Sequence, residues 1–521
     1  MATYGGASEP VEITRWDYGT PTGTLAVSVV DANGTPVTAR VAIDGQDGHP
    51  VAFAEDATYF DPQTGRHYFY VADAAEFTVP AGTYTVEVAR GPMTTITRAE
   101  VRVGAGRTVK ASLALEPLWD AAAAGYVSAD HHVHLNGDGH SRADHGDALR
   151  LLAGEDLDLV APMSWNRWER RIDADLVGTE TIADGRIVAQ GQEVRSHFHG
   201  HLGLIVPSEP YVPWFFGPSN PTLGNPDLTN GQVLAHAEAT GAFATYVHPI
   251  SNDEDPFASE VPAGIPLELV SDAVLAPRIG MELVCAWTSP LGNVAVWYRL
   301  LNIGRPVAAM SGTDSWVDFH RTPAMGTGRN YLRLGEEKIS SAAIVAAAMA
   351  GRGFVTTGPA LVFELGDGAR PGDVVTPGSH RWQATLVSTV AADAFELVVN
   401  GTVVHRADGV AAGKTRRYQG EIELPVGGWI AARAYASERV SDGWPTMHAR
   451  PFAHSSPIWI GAVGSTEAQA RSRAAADLIR AIDAAEQRAQ DAYGDVPTPR
   501  MRERFERART HLRDLVQGVE E

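Results

Sequence analysis

Imidazoles and carboxylates recur at the ends of apolar segments through the middle of this chain. The first such stretch, Tyr126-Val-Ser-Ala-Asp-His-His-Val-His-Leu135, reads as a short strand that closes in His132-Val133-His134. Side chains two apart on a strand share a face, so these two imidazoles aim at one point, with Asp130 on the same face and able to orient a ligand or join it. Such a pair serves as a structural feature, a catalytic pair or half of a metal site. Later stretches with the same placement favour the metal. After His140 come Gln190-Gly-Gln-Glu193, then Ser196-His-Phe-His-Gly-His-Leu-Gly-Leu-Ile205, Ala244-Thr-Tyr-Val-His-Pro249 and Ala309-Met-Ser-Gly-Thr-Asp-Ser315. Neutral imidazoles with carboxylates suit one or two divalent ions of zinc, manganese or iron, and the lack of clustered cysteines argues against a structural thiolate site. Such ions would generate hydroxide at neutral pH and polarise a substrate oxygen.

The elements that position these groups follow from the hydropathy pattern. Residues 1–22 form a poorly patterned lead-in. Residues 23–117 alternate in strand fashion with Gly-containing turns, which predicts a β-sandwich, and within it the segment from Phe77 to Val88 resembles carboxypeptidase-regulatory and transthyretin-like modules. Residues 118–360 alternate strands with helices, which predicts a parallel α/β sheet or barrel whose chemistry collects at the C-terminal strand ends. Residues 361–463 return to strands, with Asn400-Gly401 as a hairpin turn, and predict a second β-sandwich. In residues 464–521, Leu478, Ile482, Ala485 and Ala489 and then Met501, Phe505, Ala508 and Leu512 repeat at helical spacing, which predicts a helical hairpin with one apolar stripe per helix. Those stripes pack on their own chain or on a second copy, so a homo-oligomer through the hairpin or the sandwiches is one expectation.

Composition narrows the function classes. The 521 residues carry 42 basic and 63 acidic side chains, a net charge of −21, which opposes phosphate backbones and anionic lipid as main partners. A small-molecule substrate is expected instead, with no nucleic acid and no membrane. The start lacks a basic segment followed by an apolar one, and no run reaches the roughly 18 apolar residues of a membrane span, so a cytoplasmic location is expected. The single cysteine, Cys285, lies in an apolar strand and reads as a small core residue.

The motifs, in this order, resemble the polymerase-and-histidinol-phosphatase (PHP) superfamily, and more closely its CehA/McbA-type branch. The resemblance rests on Ala129-Asp-His-His-Val-His134, Gly200-His-Leu-Gly-Leu204, Tyr246-Val-His-Pro249, Val296-Trp-Tyr-Arg-Leu-Leu-Asn302, Ser311-Gly-Thr-Asp314 and Gly351-Arg-Gly-Phe-Val-Thr-Thr-Gly-Pro359. It implies a distorted seven-stranded barrel flanked by the two sandwiches and the hairpin. It also implies His132 and His134 as ligands, Glu193 as a bridging carboxylate, His201 and His248 as ligands of a second ion, and Asp314 as a ligand from the last strand. His140 stands where some members place a further ligand. The chain departs from many members at Met163-Ser-Trp-Asn166, where an Asp-His pair is common, and at Trp316, where a His would follow the last-strand Asp; His320 could replace it if its loop folds back.

Around this set, Glu193 and Asp314 are the catalytic candidates, with Arg329 as an oxyanion stabiliser or an ordinary salt-bridged arginine. Asn166, Trp165, His199, Trp214, Trp316 and His320 are candidate substrate contacts, although His197 and His199 also read as residues that shape their loop. Glu282 reads as a carboxylate at a strand mouth or as an oriented structural acid. The aromatics would wall in a hydrophobic substrate, whereas Arg167, Arg170 and Arg171 would suit an anionic one. The expected activity is metal-dependent hydrolysis of a carboxylic ester, carbamate or amide bond of an aromatic or hydrophobic small molecule. The alternatives are a phosphoesterase and a non-catalytic, metal-containing binding protein.

Overall fold

The computed structural model describes residues 18–51, 57–61, 65–137, 142–167, 170–212, 218, 227–286, 288–318, 323–438 and 450–517. The strand Thr22–Val30 buries every second residue, Leu25, Val27 and Val29, as a half-covered strand must. It pairs with Ala74–Pro80 and Thr108–Ala114. Across a core of Phe69, Phe77, Val79 and Val86 lies a sheet of Tyr59–Asp61, Arg66–Val71, Ala39–Gly45, Gly82–Ala89 and Thr97–Val103. This first sandwich is seated on the central region, where Tyr68 and Tyr70 share an apolar cluster with Val133, Leu135, Leu151 and Leu152.

In the central region, Val127–His134 pairs parallel with Leu159–Arg167, which pairs parallel with Gly191–Val194. Leu202–Ile205 then runs antiparallel to both Gly191–Val194 and Phe243–Tyr246. Phe243–Tyr246, Gly280–Val284 and Ala308–Ser311 are again parallel to one another. The chain returns to its first strand through Ser315–Trp316, parallel to it, and Arg329–Leu332, antiparallel to it. The sheet is therefore mixed, and the all-parallel expectation is corrected. Residues 195–201 join Gly191–Val194 to Leu202–Ile205, and so short a link cannot make the crossover of about a dozen residues that parallel pairing requires. Every residue of Gly280–Val284 is buried, since both faces of this central strand are covered. The helix His145–Gly154 opens with a capping box between Asp144 and Asp147, and Pro290–Asn302 opens with Pro290 in its first turn.

The second sandwich packs Ala360–Leu365, Gly378–Ser388 and Lys414–Leu424 against a sheet built on Ala392–Val399, Thr402–Val410 and Trp429–Tyr435, over Phe363, Trp382, Phe395 and Ile430. Hydrogen bonding continues from this second sheet into the centre. Gly353–Thr356 pairs with both Phe452–Ser455 and Arg329–Leu332. The tail forms helices Ala468–Tyr493 and Pro499–Gln517, and their stripes, including Leu478, Ile482, Met501 and Phe505, are buried in the same core as Trp297 and Leu300 of the central region. The stripes are thus covered within the chain itself. No helix among the described residues is long and apolar enough to cross a membrane.

Candidate metal centre

The strand geometry places His132 and His134 on one face of Val127–His134, and each ring is fixed by a hydrogen bond through Nδ1. His134 Nδ1 donates to the Met163 carbonyl at 2.9 Å, and His132 Nδ1 donates to Glu282 Oε1 at 3.0 Å. Both Nε2 atoms consequently point the other way, with lone pairs directed into the site. The Nε2 of His132 is buried, has no hydrogen-bond partner, and lies 3.5 Å from Asp314 Oδ1. His134 Nε2 lies 3.2 Å from Asp314 Oδ1 and 3.5 Å from Glu193 Oε2. The other oxygen of Glu193 meets His201 Nδ1 at 2.7 Å and His248 Nε2 at 3.3 Å.

Three sets of ligand atoms lie mutually within 4.8 Å: His132, His248 and Asp314; His132, His134 and Glu193; Glu193, His201 and His248. Glu193 belongs to two of them. The six residues expected from the sequence to act as ligands are thus brought to one place, from strand ends and the loops after them. Nitrogen and carboxylate donors in this number, together with an orphaned buried imidazole nitrogen, fit a divalent transition ion.

Two of these positions hold unusual backbone. His248 has φ 33° and Asp314 has φ 53°, in the left-handed region that non-glycine residues seldom enter. Both are held there by hydrogen bonds from their own amides, His248 N–H to Glu282 Oε2 at 2.6 Å and Asp314 N–H to the His132 carbonyl at 2.8 Å. Strain of this kind costs on the order of 1–3 kcal/mol and is characteristic of functional sites. Gly312 is required by close approach: a Cβ there would stand 2.3 Å from Glu282 Oε1 and 2.4 Å from the His132 Cβ.

The carboxylates dominate the electrostatics of the site. Burial disfavours charge on His132, but Glu282 and Asp314 outweigh it and raise the ring to about 10. Burial would raise Glu193, yet Arg195 and His201 hold its carboxyl well below the ordinary range, and His132 lowers Asp314 against its own burial. His201 is pushed down to about 4 by burial despite Glu193, which keeps its ring neutral.

Several expectations change. Arg329 is fully buried away from the ligands, with Nε donating to the Gly326 carbonyl and its terminal nitrogens to the Asp156 and Glu155 carbonyls, so it is a backbone clamp and not an oxyanion stabiliser. His199 is buried, with Nδ1 2.8 Å from Glu268 Oε2 and Nε2 2.7 Å from the Tyr493 hydroxyl. Both ring nitrogens are engaged, so it anchors its loop and does not meet substrate. Asp130 accepts from the Gly326 amide, the Thr313 hydroxyl and amide and the His132 amide, and so braces the loops beneath the site. Asn166 is buried and accepts from the Arg195 amide at 3.2 Å. Trp165 donates to the Asn136 carbonyl, and its ring and that of Trp316 pack against His134 at 5.7 and 4.7 Å, so both buttress a candidate ligand. His140, Trp214 and His320 lie outside the described residues.

Glu282 resolves as the partner that orients His132 and holds the backbone of His248. Arg195, stacked over Trp165 at 4.7 Å and 3.7 Å from Glu193 Oε2, is not among the sequence candidates. Its signal is its place two residues after Glu193. The Tyr493 contact to His199 spans 294 residues and leaves no local signal.

No family model matches this chain, and no curated protein matches it. Among solved structures it is similar to a two-domain protein of Bacteroides vulgatus ATCC 8482, described as containing a predicted PHP-like metal-dependent phosphoesterase, at 13% identity, over 64% of this chain and 96% of that one, with a TM-score of 0.32. PsfC of Pseudomonas syringae PB-5123 matches at 14% identity, over 43% of this chain and 90% of that one, with a TM-score of 0.30. The lesion-specific endonuclease Q of Pyrococcus furiosus matches at 13% identity, over 42% and 55%, with a TM-score of 0.27. Likeness at scores this low carries no weight for the activity of this chain.

Proposed function

We propose that this chain is a metal-dependent hydrolase of PHP type, nearest in its motifs to the CehA/McbA-type branch, and that it cleaves a small anionic ester, with a phosphoester as the first substrate class. The observation that carries the reading is the gathering of four imidazoles and two carboxylates into three overlapping sets of close ligand atoms, with the buried Nε2 of His132 lacking any hydrogen-bond partner. His132, His134, Glu193, His201, His248 and Asp314 would hold one or two ions of zinc, manganese or iron. An ion held there supplies Lewis acidity, which acidifies a water and polarises the oxygen of the scissile bond. The remaining roles belong to the chain's own groups. Glu282 and the Met163 carbonyl fix the rings of His132 and His134, and the two oxygens of Glu193 face different imidazoles.

The preference among bond classes rests on the cleft over this centre, a volume of about 520 Å³. Its described lining includes Arg195, His197 and Arg488, and its one acidic residue is Asp314. Trp165 and Trp316 are not part of that lining. A second reading, cleavage of a carboxylic ester, carbamate or amide, draws on the apolar lining of Phe198, Ile265 and Pro266. Purified protein supplied with manganese or zinc and assayed on aryl phosphates, aryl acetates and aryl carbamates separates the readings. Turnover of the phosphates supports the first and turnover confined to the neutral esters the second. Metal retention without turnover on any of them supports a non-catalytic binding protein.

A further inference from the structure

The C-terminal hairpin contributes no ligand, yet one of its side chains reaches the cleft. Arg488 lies on Ala468–Tyr493, at the flank of the stripe of Leu478, Ile482, Ala485 and Ala489 that is buried in the central core. Its guanidinium donates to the Ile265 carbonyl at 2.7 Å and lines the same cleft as His201, His248 and Asp314. The Nε of Arg488 is buried without a hydrogen-bond partner, and no carboxylate among the described residues is ion-paired with it. The other guanidinium of the cleft, Arg195, also keeps a buried Nε without a hydrogen bond, 3.7 Å from Glu193 Oε2, and lies over Trp165 at 4.7 Å. In a chain of net charge −21, two partly buried guanidiniums at one opening, each with an Nε that makes no hydrogen bond and Arg488 with no carboxylate beside it among the described residues, are an exception that an anion would relieve. The planar fork of arginine matches a phosphate or carboxylate through paired charge-assisted hydrogen bonds. The exposed Arg170 and Arg171, the cations suggested by the sequence, line no part of this cleft.

We infer that Arg488 and Arg195 form a clamp for an anionic group of the substrate, so that the C-terminal hairpin is a wall of the active site and sets its specificity. The inference rests on the metal-hydrolase reading. Arg488 is a specificity residue, since it touches the substrate's anionic group and no metal ligand.

The test uses the full chain loaded with metal. Inorganic phosphate and acetate are titrated separately by calorimetry into the wild type, Arg488→Met and Arg488→Lys, with metal content and Tm recorded for each. The inference expects the anion that binds the wild type to bind Arg488→Met about tenfold or more weakly, the loss expected for a charged hydrogen-bonding partner. Arg488→Lys should fall between them, and metal content should stay the same in all three. In turnover, the ratio of kcat/KM for an aryl phosphate to that for an aryl acetate should fall by a similar factor, mainly through KM. If Arg488→Met does not fold, the lysine variant, which keeps the charge and loses the fork, must still show weakened binding. A metal-loaded wild type that binds neither anion, or variants that bind within twofold of it, overturn the clamp and leave the metal reading standing. A wild type that takes up no metal overturns both.

Discussion

Two buried clusters of histidine and carboxylate sit side by side in this molecule, and only one of them is open to a ligand. In the first, His199 is bonded to Glu268 and Tyr493, Glu268 also accepts from the Asn230 amide, Asp272 accepts from the Tyr246 hydroxyl, and Arg504 is ion-paired with Asp272. This cluster holds its own cation, and its rings and hydroxyls donate and accept among themselves. In the second, Glu193, Asp314 and Glu282 are set among four imidazoles, with Arg195 no nearer than 3.7 Å to Glu193 and the Nε2 of His132 unpartnered. Residue composition does not separate the two. What does is that the first carries its own guanidinium, with His199 bonded at 2.8 Å to one Glu268 oxygen and Arg504 4.0 Å from the other, which makes no hydrogen bond, whereas the ligand atoms of the second lie in three overlapping close sets. The closed cluster ties the tail to the loop 195–201 through His199 and Tyr493, and the open one could hold a metal ion.

The largest effect is expected from Glu193→Gln, which keeps the shape and removes a negative charge shared between two ligand sets. Elemental analysis should show at least one ion lost or weakened, and turnover should fall by several powers of ten. Full metal content with near-normal turnover would erase the distinction between the two clusters. Glu282→Gln comes next: it leaves His132 in place but weakens the bond that directs its Nε2, and a loss of about 10–100-fold in metal affinity is expected from competition with a chelator. An unchanged affinity would mean that the His132 ring is fixed by packing alone.

In the closed cluster, Tyr493→Phe should cost about 1–3 kcal/mol of stability by stranding the buried His199 nitrogen, while the metal stays bound. Loss of metal in that variant would show that the two clusters act as one. The smallest effect is on a slope. Asp272 is raised from its ordinary value to about 7, chiefly by burial, with Arg504 opposing. Since the folded value lies above the unfolded one, its contribution to stability is full below about pH 4 and is lost as pH rises through about 7. Asp272→Asn should therefore flatten the pH dependence of urea unfolding across that window; an unaltered slope would assign the titration to another group.

The features legible in the sequence are those with a short period. Leu25, Val27 and Val29 declare a strand by alternation, and the stripe through Leu478 and Ile482 declares a helix. The candidate ligands stand at strand ends, where neighbouring side chains of one strand share a face, so His132 and His134 pair from spacing alone. What spacing does not supply is pairing direction and long-range partnership. The reversal at Leu202–Ile205 comes from a short link that the helix-strand alternation conceals. Arg329 carries the same charge as a catalytic arginine, and only the three carbonyls around it reveal its task. His199 sits two residues from His201 in the same motif, and its exclusion from the cleft depends on Glu268 and Tyr493, which lie far along the chain.

The most direct test of the central claim is the metal content of the purified full-length protein, measured by elemental analysis beside that of a His132→Ala, His134→Ala double variant. The account predicts one to two equivalents of zinc, manganese or iron in the wild type after supplementation, and a clear loss in the double variant with the fold retained by circular dichroism. A wild type that stays metal-free under supplementation, or a double variant that keeps its full complement, would contradict it.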